Sequence, residues 1–153
     1  MNWKLRTFFA IFLVAGAFFQ PHELIARSDT AHLLTSSASV SVEIKFPDGS
    51  TKKYSVPISK GMTVVDVMKT ASGIKPSFKW NAVWFENFWS FQITEIDGVK
   101  NEKYVNEDSK FWQYCAGPAG FLTPSSRGVN LFGVAPNDAI VWEFVKSGGL
   151  SCK

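Results

Sequence analysis

The stretch SVSVEIKFPDGSTKKYSVPI, residues 39–58, decides the fold class. Val40, Val42, Ile44 and Phe46 alternate with Ser39, Ser41, Glu43 and Lys45, the two-residue period of a half-buried strand. Pro47-Asp48-Gly49-Ser50 then supplies the residues of a tight turn. Tyr54, Val56 and Ile58 resume the alternation, so the segment predicts a hairpin. Pro57 has no N–H to give to a ladder, which places the second strand at a sheet edge or ends its pairing there.

Working outward, the period changes at residues 60–63. Thr63 with Asp66 three residues later has the pattern of a capping box. Val64, Val67, Met68 and Ala71 recur at helical spacing, and Gly73 is in place for a stop. No other convincing helix follows. A hairpin with one helix on its apolar face predicts a small α+β domain: an antiparallel sheet with one short helix, β-grasp-like.

Downstream, FKWNAVWFENFWSF (residues 78–91) carries seven aromatic residues in fourteen. Trp89, Phe91 and Ile93 alternate with Ser90, Gln92 and Thr94 and predict a strand, with Asp97-Gly98 as its turn. The aromatics have two readings: a core with a lid of rings, or a partly exposed wall for a flat or apolar ligand. After the polar loop 100–110, Phe111 to Cys115 predict a strand with Trp112 and Tyr114 on one face. It leads into a small-residue loop, Ala116 to Gly120, which reads as a plain turn or as backbone able to approach a ligand closely. Without a following helix or a Lys-Ser/Thr pair it is not a nucleotide-binding loop. Ile140, Trp142 and Phe144 mark the last strand, after a turn at Pro136-Asn137-Asp138.

Upstream, Lys4 and Arg6 precede an apolar run from Thr7 to Phe19 that is too short to span a bilayer, with Ala15-Gly16-Ala17 near its end. Residues 1–19 therefore read as a signal peptide, the alternative being an uncleaved membrane anchor, and a secreted, extracellular protein is expected, with no membrane association after cleavage. Residues 20–38 read as a pro-segment or flexible arm, and 39–153 as the folded domain. The composition, 46% apolar, 15% aromatic and 19% charged over 153 residues, suits one compact domain. Removing Lys4 and Arg6 leaves fourteen basic against thirteen acidic residues, a net charge of +1 that gives no footprint for nucleic acid.

Both histidines, His22 and His32, lie in the arm. The domain thus lacks the usual base for a Ser or Cys nucleophile and the commonest metal ligand, so neither an enzyme nor a metal site is expected. Cys115 and Cys152 form an even pair in an oxidising compartment; they read as an intrachain disulfide, or as two free or intermolecular thiols.

Several pieces in order resemble a known family. GMTVVDVM (61–68), PSFKW (76–80), ITEIDGV (93–99), FWQ (111–113), Gly128-Val129 and NDAIVWEF (137–144) are similar to the C-terminal β-domain of transcobalamin and gastric intrinsic factor. The resemblance covers about residues 39–146. It implies a non-catalytic module that requires no cofactor and takes cobalamin or a related corrinoid as ligand, covering the upper face of the corrin. Residue by residue, Trp112 and Gln113 match the family's ligand-facing strand. Ala116, Gly117, Phe121 and Leu122 match its following loop in place but not in sequence. Trp89 and Phe91 lie where the family presents a second ligand-facing edge, although the aromatic cluster departs from the family there. The helical domain that completes the family's site is absent from these 153 residues. The resemblance therefore implies weak binding by this chain alone, or a separate helical partner. The competing expectation is an extracellular protein-interaction module that keeps the fold without the ligand.

Overall fold

In a computed structural model, residues 38–152 are described. The leader and nearly all of the arm expected at residues 1–38 lie outside them. Strands β1 (Ser39–Lys45) and β2 (Thr51–Pro57) form the expected antiparallel hairpin, and β2 is an edge strand, as Pro57 requires. Helix α1 (Val64–Ile74) follows, then β3 (Trp80–Phe85), a 3₁₀ turn at Glu86–Phe88, β4 (Ser90–Ile96) and β5 (Val99–Lys100). Strands β6 (Lys110–Pro118), β7 (Thr123–Pro124) and β8 (Asp138–Lys146) complete the domain.

Two sheets result. One has the order β2-β1-β8-β6-β7, the other β3-β4-β5. The α+β class holds, with one correction: β1 and β8 run parallel, pairing Val42 with Ile140 and Ile44 with Trp142, so the larger sheet is mixed rather than antiparallel. The final strand enters between the N-terminal hairpin and β6 and is covered on both faces. That accounts for Val141 and Glu143 being buried along with Ile140 and Trp142.

The core lies between the larger sheet and α1. Val40, Val42 and Ile44 of β1 point into it, with Val64, Val67, Met68 and Ala71 of the helix and Trp142 of β8, none more than 1% exposed. Fully burying an aliphatic side chain stabilises by about 1.5–3 kcal/mol relative to leaving it in water, so this layer carries most of the fold. The Asp66 carboxylate accepts the Thr63 N–H (2.9 Å), as the capping pattern requires, and also the Thr63 hydroxyl (2.7 Å). Gly73, read as the stop, instead sits within α1. The helix ends at Ile74, and Lys75 after it, at φ −124° and ψ 87°, leaves the helical region that a following proline disfavours.

The opening of α1 is also tied to a long segment between β7 and β8. The N–H groups of Val64 and Val65, orphaned at a helix start, donate to the carbonyls of Phe132 and Val129. The smaller sheet is joined to the same helix where the Trp80 indole N–H donates to the Met68 carbonyl (3.1 Å). A bulge in β4 leaves Thr94 without a partner on β3, which lets Ile93 and Ile96, three residues apart, face the same core.

Cys115 and Cys152 are bridged. Cys115 alternates with Trp112 and Tyr114 on β6, so the bridge fixes the end of the chain on the opposite face of the sheet. Nearby on that face the Gln113 amide donates to the carbonyls of Val145 and Lys146, and Lys45 pairs with Glu143 at 2.6 Å.

Candidate functional site

The aromatic cluster divides between core and surface. Phe78 is fully buried and Trp80 packs against the core, whereas Trp84, Phe85, Phe88, Trp89 and Phe91 are exposed. The β3–β4 turn carries the most open of them: Phe88 and Trp89 are 73% and 75% exposed. Trp89 is in the left-handed region (φ 47°), an uncommon conformation for a bulky side chain. Asn130 holds it there. Its Oδ1 accepts the Ser90 hydroxyl (2.7 Å) and the Phe91 N–H (3.0 Å), and its Nδ2 donates to the Trp89 carbonyl (3.2 Å).

Between this hairpin, β6 and residues 125–131 lies an open cavity of about 490 Å³. Phe85, Phe88 and Phe91 form its apolar wall, with Ile93 and Trp112 deeper. Gln113, Tyr114 and Trp142 contribute from the larger sheet, and Ser125 to Val129 and Leu131 close the remaining side. The two walls meet closely at Gly128, where a Cβ would lie 1.2 Å from the Ser90 hydroxyl oxygen. Only glycine allows that approach.

The polar groups of the cavity are held by their own network. The Tyr114 hydroxyl donates to the Arg127 carbonyl (2.8 Å) and accepts from the Ser125 hydroxyl (2.8 Å). Burial pushes the Tyr114 phenol above its usual pKa, opposed by the Ser125 hydrogen bond and the Arg127 charge. Tyr114 therefore stays neutral through the physiological range. Among the described residues no group of three or more His, Cys, Asp or Glu could hold a metal ion.

Of the residues singled out in the sequence, the structure brings Phe91, Trp112 and Gln113 together on this cavity. Trp112 forms part of its floor: it is 4% exposed, donates its indole N–H to the Val99 carbonyl (2.8 Å) and packs edge-on against Phe46 and Phe144. Trp89, Ala116, Gly117, Phe121 and Leu122 do not line it. Ala116 and Gly117, read as part of a loop, belong to strand β6 and pair with Ile140 and Ala139. The absence of a side chain at Gly117 serves the chain's own backbone, since a Cβ there would meet the Phe121 carbonyl at 3.1 Å. Phe121 projects into solvent, 80% exposed. Sequence reasoning missed Tyr114, Arg127 and Leu131 as lining residues. Tyr114 carried a signal in its shared face with Trp112, whereas residues 125–131 show no period.

No protein-family model and no curated protein matches this sequence. Among solved structures, the fold is similar to haptocorrin in complex with cobinamide (Cbi): 22% identity, TM-score 0.56, covering 71% of this chain and 25% of that one. This chain thus spans a quarter of the haptocorrin chain. A Ruminococcus gnavus protein ascribed metal binding aligns over 71% of this chain and 97% of its own, at 10% identity and a TM-score of 0.49. The haptocorrin likeness establishes the fold, mostly β with one helix in a five-stranded and a three-stranded sheet.

Proposed function

We propose that this protein is an exported, non-catalytic binding module whose aromatic-walled cavity receives part of cobalamin or a related corrinoid. The observation that carries this reading is the open cavity beside β3–β4, with Phe85, Phe88 and Phe91 on one side and Trp112 beneath, in a fold shared with part of haptocorrin. The disulfide supports export, because such bonds persist in oxidising compartments. A corrinoid is larger than the cavity, so its corrin lies across the mouth with one edge or substituent inside. Most of the ligand stays in water, and affinity depends on enclosure more than on area touched. The chain alone therefore binds weakly, with a dissociation constant of roughly 1 mM, about −4 kcal/mol, and a separate helical partner is needed for tighter binding. Titration with hydroxocobalamin, followed by calorimetry, should give a saturable signal in that range; heat of dilution alone up to several times that concentration rejects the reading.

A second reading is favoured by Phe88, Trp89 and Phe121, whose rings stand in solvent. Exposed aromatic anchors are characteristic of protein interfaces, and an extracellular protein-interaction module would use them. Light scattering after size exclusion, together with pull-down from the native fluid, tests it. A monomer that retains no partner would count against this alternative.

A further inference from the structure

Arg127 lines the cavity, and its main chain is fixed there by two hydrogen bonds. Its N–H donates to the Ser125 hydroxyl (3.3 Å), and its carbonyl accepts the hydroxyl of Tyr114 (2.8 Å). Its guanidinium makes no ion pair among the described residues. The residue is thus positioned while its cationic head is left unused. A second group on the cavity is also unsatisfied: Trp142 is 1% exposed, and its indole N–H has no hydrogen-bond partner among the described residues. Buried donors are rarely left unpaired, at a cost of about 1–3 kcal/mol each. The Trp142 donor is sealed from a guest, whereas the unpaired charge of Arg127, on a lining that also carries a wall of phenyl rings, describes one kind of guest.

The geometry points to a subsite for a small, flat aromatic carboxylate, its rings against Phe85, Phe88 and Phe91 and its acid group on the Arg127 guanidinium. Planar carboxylates suit guanidinium because two parallel N–H···O bonds form at once. A volume of about 490 Å³ falls in the range of small-molecule pockets, about 300–1,000 Å³. The inference goes beyond the corrinoid reading and does not depend on it, since a two-ring acid would occupy the cavity interior without any corrin at the mouth.

The test compares 2-naphthoate with its neutral isostere 2-naphthamide by calorimetry on the intact protein. Naphthoate should bind at one site per chain about tenfold more tightly than the amide, the gain expected of a charge-assisted hydrogen bond. Arg127→Gln should abolish that preference while leaving the amide's affinity within about twofold, and Arg127→Lys should keep part of it. Circular dichroism of each variant confirms that Arg127, an exposed side chain, can be changed without unfolding the domain. Equal binding of the two probes to the native protein overturns the proposal. So does an Arg127→Gln loss shared by both, or the lack of saturation with either. A parallel titration with hydroxocobalamin separates this proposal from the corrinoid reading. A cobalamin response without a naphthoate response overturns the carboxylate subsite alone; the reverse leaves the subsite standing and removes the corrinoid.

Discussion

Asp66 shows how a single side chain secures an element on which the cavity rests. Its carboxyl is held below the usual carboxylate pKa, first by the Thr63 N–H and then by the Thr63 hydroxyl. A carboxyl depressed in the folded state stabilises above its unfolded pKa, and that contribution is lost as pH falls through the folded value. Asp66→Asn should therefore cost about 1 kcal/mol at neutral pH. In urea titrations the gap between native and variant should hold above about pH 5 and close as the solution is acidified further; a gap independent of pH would remove the carboxylate from the cap. Gly128 makes the complementary point about space. Gly128→Ala places a methyl on the Ser90 hydroxyl and should cost about 1–3 kcal/mol, the usual range for overpacking. In a Ser90→Gly background the nearest remaining atom is the residue 90 Cα at 3.4 Å, so the same alanine should cost much less. Additive losses in that double-mutant cycle would mean the two residues do not meet.

Among the elements, the hairpin β1–β2, the capped start of α1 and the turn at Asp97-Gly98 were legible because each is specified within a few neighbouring residues. The parallel pairing of β1 with β8 was not. Its partners lie about a hundred positions apart, and no local period records which distant strand a chain will choose. Residues 125–131 were opaque for the same reason. Their place is set by bonds from Val65, Ser90 and Phe91, not by any pattern of their own. Alternation correctly put Trp112 and Tyr114 on one face of β6, but period alone does not say whether a face looks to core or cavity, and here both rings do both. The disulfide acts at this scale too. It joins residues 37 apart, and on the chain-entropy model closing such a loop stabilises by about 4 kcal/mol. Cys152→Ser, or reduction, should lower the unfolding free energy by up to that amount, seen as a lower urea midpoint. An unchanged midpoint would show that the tail is not fastened in solution.

For the whole molecule, the haptocorrin likeness establishes the fold alone, and the proposal of a corrinoid ligand stands on the cavity. The two exposed indoles, Trp84 and Trp89, differ sharply from Trp112 and Trp142, which are nearly sealed. Diffusional collisions reach the exposed pair first, whereas hydroxocobalamin bound at the cavity should also quench the blue emission of Trp112 and Trp142, which line it, and should do so saturably. Loss confined to the red-edge emission, or no steeper than that of free tryptophan at the same concentrations, would indicate collisions or inner-filter loss rather than a bound corrin. The bulge at Thr94 bears on the same surface. It allows Ile93 and Ile96 to share the interior while Trp84 and Phe91, in edge-on contact at 5.0 Å, remain on the outside. Delete that one residue and the two isoleucines stand two apart, the spacing at which an unbulged strand also puts both on one face, so they still point inward and the rings beside them keep their side. The strand can therefore gain or lose a single codon at this spot without turning its sticky flank from water, a tolerance that regular pairing elsewhere along it would not give.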